Sequence, residues 1–162
     1  MTGSRCGRCE RLLVGDDRFV ALLDVHNRVI QEAASRAHGI VFRNTGDGYG
    51  VWLVSAADAL ACAREIHDRL RSGAAHPPVS VRIGIAAGTA ISLGGDLFGV
   101  DVVRAARLCG LAPADGTYVD AAVATAGAVA VHDLGPILLK GFATPEPVFS
   151  LAGASRPQRP TL

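Results

Sequence analysis

Aromatic side chains are scarce: five Phe, two Tyr and one Trp in 162 residues. That scarcity weakens any reading as a base-stacking RNA platform. An excess of one charge sign is missing too. Lys plus Arg is 16 against 15 Asp plus Glu, a formal net charge of +1. A dedicated nucleic-acid or membrane-surface binder needs a basic excess. No apolar run reaches the ~18 residues of a membrane span. The best stretch, Ala121 to Leu139, is interrupted by His132 and Asp133. A signal peptide's apolar segment is absent, because Arg5, Arg8, Glu10 and Arg11 break it up. The expectation is a soluble, cytoplasmic protein. Four Cys in a domain this size make no disulfide scaffold.

Apolar residues are plentiful, at 49%. That suffices for one packed domain, expected over residues 1–152, with 153–162 as a flexible tail. Phe19, Leu22, Leu23, His26, Val29 and Ile30 recur at helical spacing, which predicts a helix over Asp16 to Ala37, stopped by Gly39. Ile40 to Asn44 and Tyr49 to Val54 read as strands. Thr45-Gly46-Asp47-Gly48 between them is a hairpin signal, since Gly accepts the positive φ of tight turns. Ser55 is a good N-cap for a helix to about Ser72, and Pro77-Pro78 breaks the chain after it. Val79 to Ile85 alternates as a half-buried strand. A Gly-rich loop, Gly88 to Gly95, leads to a helix over Val100 to Leu111. Thr117 to Val119 is a short strand, and Asp120 caps a short helix. Val129 to His132, Ile137 to Leu139 and Val148 to Leu151 close the strand candidates. The expected class is α+β, with a mostly antiparallel sheet.

Four segments carry residues capable of chemistry: Arg43 to Gly48, Val81 to Ile85, Asp96 to Gly99 running into Ala105-Ala106-Arg107-Leu108, and Leu139-Lys140-Gly141. Each alone has an ordinary reading. Asp47 fits a Gly-Asp-Gly turn, Arg107 could serve its own helix's C-terminus, and Lys140 could be solvated. Cys6-Gly7-Arg8-Cys9 would need two more ligands to hold structural zinc, and a lone pair of this spacing is weak grounds for redox chemistry. The five His show no ligand spacing.

The four segments in this order resemble the class III adenylate/guanylate cyclase homology domain of the soluble bacterial type, from about Gly3 to Leu151. The resemblance implies a ferredoxin-like, palm-like sheet with helices packed on one face. It also implies a dimer, of two copies or with another cyclase-like chain, with composite sites at the interface. There ATP becomes cyclic AMP and pyrophosphate, with Mg²⁺ or Mn²⁺ clamped by two carboxylates. Position by position, Asp47 matches a metal-binding aspartate and Asp96 the acceptor that reads the adenine amino group. Arg107 matches the arginine that meets charge on the transferring phosphate. Lys140 matches a Leu-Lys-Gly segment near the triphosphate.

Three departures accompany the matches. The base-reading lysine falls on Arg43, whose planar fork has different geometry. The ribose-orienting asparagine falls on Val103, four residues before Arg107 and on the same helical face. The first metal aspartate and the strand that carries it have no match, with Gly3-Ser4 placed in the turn after that strand. The resemblance therefore implies weak or no turnover. Three readings stay open: an active cyclase, a non-catalytic dimerising domain, and a nucleotide sensor. A gap is expected at the centre of the sheet, unless a longer chain, a partner or the extreme N-terminus fills it.

Overall fold

The computed structural model describes residues 2–5, 16–46, 48–72, 78–127 and 129–151. Asp47, the Cys6/Cys9 pair and the tail from 152 onward lie outside the described residues. Strands are β1 (Thr2–Arg5), β2 (Ile40–Asn44), β3 (Gly48–Trp52), β4 (Ile83–Ile85), β5 (Ile91–Leu93), β6 (Asp96–Phe98), β7 (Thr117–Asp120), β8 (Val131–Ile137) and β9 (Glu146–Leu151). Helices are α1 (Asp16–Arg36), α2 (Ala56–Arg71), α3 (Val100–Leu111) and α4 (Ala121–Ala126). Seven strands form one sheet in the order β2-β3-β1-β4-β7-β9-β8, and β5 pairs with β6 in a separate hairpin. The β4–β7 pair is parallel and every other pair is antiparallel. This is the expected α+β class.

The centre of the sheet is closed. Thr2–Arg5 runs between β3 and β4, with Gly3 opposite Gly50 on one side and Gly84 on the other. The first strand is therefore present, and it comes from the extreme N-terminus. Gly3-Ser4 lies inside it, not in a following turn. Extended residues here satisfy backbone groups on β3 and β4 that would otherwise face a gap.

The layers differ from the expected sheet with helices on one face. Ile83 and Ile85 point into a core with Val29, Ile30, Ala63, Ile66 and Leu70 of α1 and α2. Gly84, between them, points the other way. A Cβ there would lie 2.2 Å from the Ala105 carbonyl oxygen and from the Cys109 nitrogen. So α3 covers the opposite face, over Ala86, Tyr118, Leu139 and Val148. Helices occupy both faces, and β4 is buried on both sides rather than half-buried.

Local chemistry explains most boundaries. Ser55 Oγ accepts from the Asp58 backbone N–H at 3.1 Å, capping α2. Asp120 Oδ1 accepts from the Val123 N–H at 2.9 Å, capping α4. At the end of α1 the left-handed residue is His38, with φ 53. Gly39 follows it because a Cβ would meet Leu53 Cδ2 at 2.8 Å. The expected loop over Gly88–Gly95 contains β5, turned into β6 by Gly94 and Gly95 with φ of 61 and 82. The two strands expected near Val129 and Ile137 are one, β8, irregular between Asp133 and Pro136. Leu139 lies beyond it, buried at the start of an exposed turn.

Candidate functional site

The candidate residues gather in two couples. In the first, Arg43 on β2 meets Asp96 at the start of β6. Arg43 Nε donates to Asp96 Oδ2 at 3.0 Å, and Nη2 donates to the same oxygen at 2.5 Å. Asp96 Oδ1 accepts the Leu97 backbone N–H at 2.7 Å. Chiefly the Arg43 hydrogen bonds, and then the Leu97 N–H, hold the Asp96 carboxyl below the usual carboxylate range, against some desolvation. The two side chains stay 40% and 30% exposed, so incoming solute can reach the pair.

A bulge aims Arg43. The β2–β3 register shifts between Val41 and Arg43, which re-aims the side chain after the irregularity. The Phe42 ring turns over Gly50, where a Cβ would sit 2.5 Å from Phe42 Cζ. The Arg43 guanidinium then lies 5.8 Å from the Phe42 ring centroid and 5.9 Å from that of Phe98. On the β5–β6 hairpin, Leu93 is opposite Asp96 and Ile91 is opposite Phe98. Opposed residues and residues two apart share a face. Asp96, Phe98, Ile91 and Leu93 therefore line one face, with Ile91 72% and Leu93 70% exposed.

In the second couple, Arg107 Nε donates to the Lys140 carbonyl oxygen at 3.0 Å. Lys140 stands in a tight turn closed by the Phe142 N–H on the Leu139 carbonyl at 3.0 Å. Gly141 takes φ 90 there, as the third residue of a type II turn requires. Val103 shares the exposed face of α3 with Arg107 and is 42% exposed. Among the described residues, no hydrogen bond or ion pair links the two couples.

Sequence reasoning missed Arg104. It ion-pairs with Asp101, lies 3.4 Å from Glu146 Oε2, and sits 5.4 Å from the Phe142 ring centroid. Asp101 Oδ2 in turn accepts the Thr89 N–H at 3.0 Å. This cluster ties α3 to β9, to the Lys140 turn and to the loop after β4. Its one sequence signal is the three-residue spacing from Asp101. Among the described residues no group of three or more His, Cys, Asp or Glu could hold a metal ion. The described donor set does not by itself fit a divalent cation, and Asp47 lies outside it.

Nothing matches the chain among sequence models of known families or among curated proteins. Solved structures do match. An adenylate/guanylate cyclase/hydrolase from Silicibacter pomeroyi is 26% identical, covers 93% of each chain and superposes with a TM-score of 0.79. The guanylate cyclase domain of RhGC from Catenaria anguillulae, solved in complex with GTP, is 20% identical over 94% of each chain, with a TM-score of 0.79. A non-canonical dimeric guanylyl cyclase domain of the RhoGC fusion protein from Blastocladiella emersonii is 18% identical over 94% of each chain, with a TM-score of 0.76. At those identities the last two speak to the fold. Among the described residues no helix is long and apolar enough to cross a membrane.

Proposed function

We propose that this chain, a class III adenylate/guanylate cyclase homology domain by its fold, binds a purine nucleoside triphosphate and turns it over weakly or not at all. The observation that carries the binding half is the Arg43–Asp96 couple. A cation and a carboxylate stand side by side, reachable, and ringed by Phe98, Ile91 and Leu93. That is a donor–acceptor pair for a base edge set among apolar side chains that suit its faces. Arg107 and Lys140, joined at one turn, supply cations suited to a polyphosphate.

Val103 supports the other half. It stands where the resemblance calls for an asparagine, on the face shared with Arg107. A valine offers no hydrogen bond to a ribose. Losing one positioned polar contact costs on the order of 10²-fold or more in rate. Val103 thus favours a second reading beside a slow cyclase, a nucleotide-sensing or dimerising domain without turnover. Several large apolar side chains around the hairpin and α3 are exposed, and a second copy or another cyclase-like chain would cover them. The non-canonical dimer formed by the neighbour from Blastocladiella emersonii supports pairing with a second chain in general. Asp47 would supply one carboxylate to a bound Mg²⁺ or Mn²⁺.

The test is an assay of the purified chain with ATP or GTP and Mn²⁺ or Mg²⁺, reading cyclic nucleotide by chromatography and melting temperature in parallel. The expected result is product at or near background, with nucleotide still raising the melting temperature. Brisk product formation that disappears in Asp47→Ala would overturn the weak-turnover reading. No melting shift with either nucleotide would overturn nucleotide binding.

A further inference from the structure

We propose that Arg104 is a positioning residue for the polyphosphate: it holds the Leu139–Phe142 turn against α3 and so sets the Lys140 ammonium where a triphosphate meets it. The inference rests on the nucleotide-binding reading above and gives a role to a side chain which that reading leaves unused.

Arg104 and Arg107 stand three residues apart on α3, so both can reach the same neighbouring segment. Their surroundings differ. Arg107 is exposed, and its Nε donates to the Lys140 carbonyl oxygen at 3.0 Å. The Arg104 side chain is only 18% exposed, and its Nε is buried. An incoming anion can reach Arg107 and Lys140, whereas most of Arg104 is closed to it.

Arg104 instead grips the other end of the turn. Its guanidinium carbon lies 5.4 Å from the Phe142 ring centroid. Phe142 closes the turn through its N–H on the Leu139 carbonyl, and it packs against the core that holds Val102, Ala105 and Leu139. Arg104 Nε is 3.4 Å from Oε2 of Glu146, the first residue of β9. Asp101, one turn back on α3, pairs with Arg104 Nη1. The guanidinium thus bridges helix, turn and strand, with two carboxylates facing its charge.

The segment it holds has little packing of its own. Lys140, Gly141, Ala143, Thr144 and Pro145 are all exposed. The single hydrogen bond from Arg107 would leave the turn free to hinge, and contacts at both ends fix it. A lysine ammonium sits on a flexible four-carbon stem. Fixing its root limits the freedom lost when it meets a phosphate. Arg104 therefore acts through Lys140 and touches no ligand atom. Arg104→Lys would keep the positive charge beside Asp101 and Glu146 but lose the planar face that lies over Phe142. That substitution separates positioning from bulk charge.

The experiment is a double-mutant cycle, read by calorimetric titration of the full chain with adenosine and guanosine 5′-(α,β-methylene)triphosphate at matched Mg²⁺. The proteins are the native chain, Arg104→Lys, Lys140→Ala and the double variant. A thermal melt of each checks folding, and Phe142→Leu takes the place of Arg104→Lys if that variant does not fold. For the tighter analogue, affinity is expected to fall about fivefold in Arg104→Lys and about tenfold in Lys140→Ala. The double variant is expected within about twofold of Lys140→Ala, because the first effect runs through the second side chain. Losses that multiply would show Arg104 acting on the fold at large and overturn the inference. Native affinity in Arg104→Lys would overturn it as well. Native affinity in Lys140→Ala would overturn it while leaving nucleotide binding standing. Binding of neither analogue by the native chain would overturn both this inference and the proposed function.

Discussion

His67 shows how one side chain acquires a pH response from its surroundings. It lies on α2, 6% exposed, with Nε2 2.9 Å from Thr117 Oγ1 of β7. Burial, the leading cause, pushes its pKa below the ordinary 6.5; Arg71 pushes the same way, while Asp115 and Asp68 push back. The folded chain therefore binds fewer protons at this ring than the unfolded chain just below pH 6.5. Stability from the neutral ring is fully present above the unfolded value of 6.5, and is lost as pH falls through the depressed folded pKa. The expected slope is at most about 1.4 kcal/mol per pH unit from this group. Urea midpoints between pH 7.5 and 5, compared with those of His67→Gln, check it. A slope that survives the substitution intact would assign the effect elsewhere. Asp120 is the opposite case: burial raises its carboxyl pKa, with the Val123 and Ala87 N–H groups pulling back. None of these directions was legible in the sequence, because each depends on what folds over the group.

At the scale of elements, helix positions and their caps were readable and their neighbours were not. Ser55 and Asp120 occupy the cap positions that their residue types favour. Ser55→Ala is expected to cost about 1 kcal/mol, measured by urea denaturation. Gly84 is the contrasting case. In sequence it is one more glycine in an alternating strand, yet α3 backbone atoms lie where its Cβ would be. Gly84→Ala is expected to cost about 3 kcal/mol, at the upper end of overpacking, or to lift α3 off the sheet. The second outcome would displace Arg107 from the Lys140 turn and weaken triphosphate binding more than it lowers the urea midpoint. Denaturation and nucleotide titration on the same variant separate the two. An unchanged midpoint with unchanged binding would contradict this packing. The β5–β6 hairpin was hidden for a different reason: its strands have three residues each, too few to show a period.

For the whole molecule, the arrangement leaves an apolar margin around the candidate site. Ile91, Leu93, Phe98 and Val100 are exposed by 72%, 70%, 46% and 58%, and they run from the hairpin into α3. A second chain seated there would close over a bound base and, together with it, bury them. Ile91→Glu with Leu93→Glu is expected to weaken self-association by about tenfold or more, since each places a charge where apolar contact is needed. Sedimentation velocity across a concentration series reads this, with circular dichroism confirming an intact fold. A native chain that stays monomeric at high concentration would remove the need for a composite site.

Some of this protein follows from local sequence. Helical periods in α1 and α2, the antiparallel pairing of β2 with β3, the caps and the α+β class all rest on interactions between residues close in the chain. The order of Arg43, Asp96, Arg107 and Lys140 was legible too, and it pointed to the cyclase homology fold. Tertiary structure decided what long-range pairing decides. It drew Thr2–Arg5 into the middle of the sheet, where unpaired backbone required a strand. It put helices on both faces, and it joined Arg43 to Asp96 across 53 residues of chain. Contacts at such separations leave no period in the sequence. They arise because buried polar groups must find partners and apolar faces must be covered, wherever along the chain the complement happens to lie.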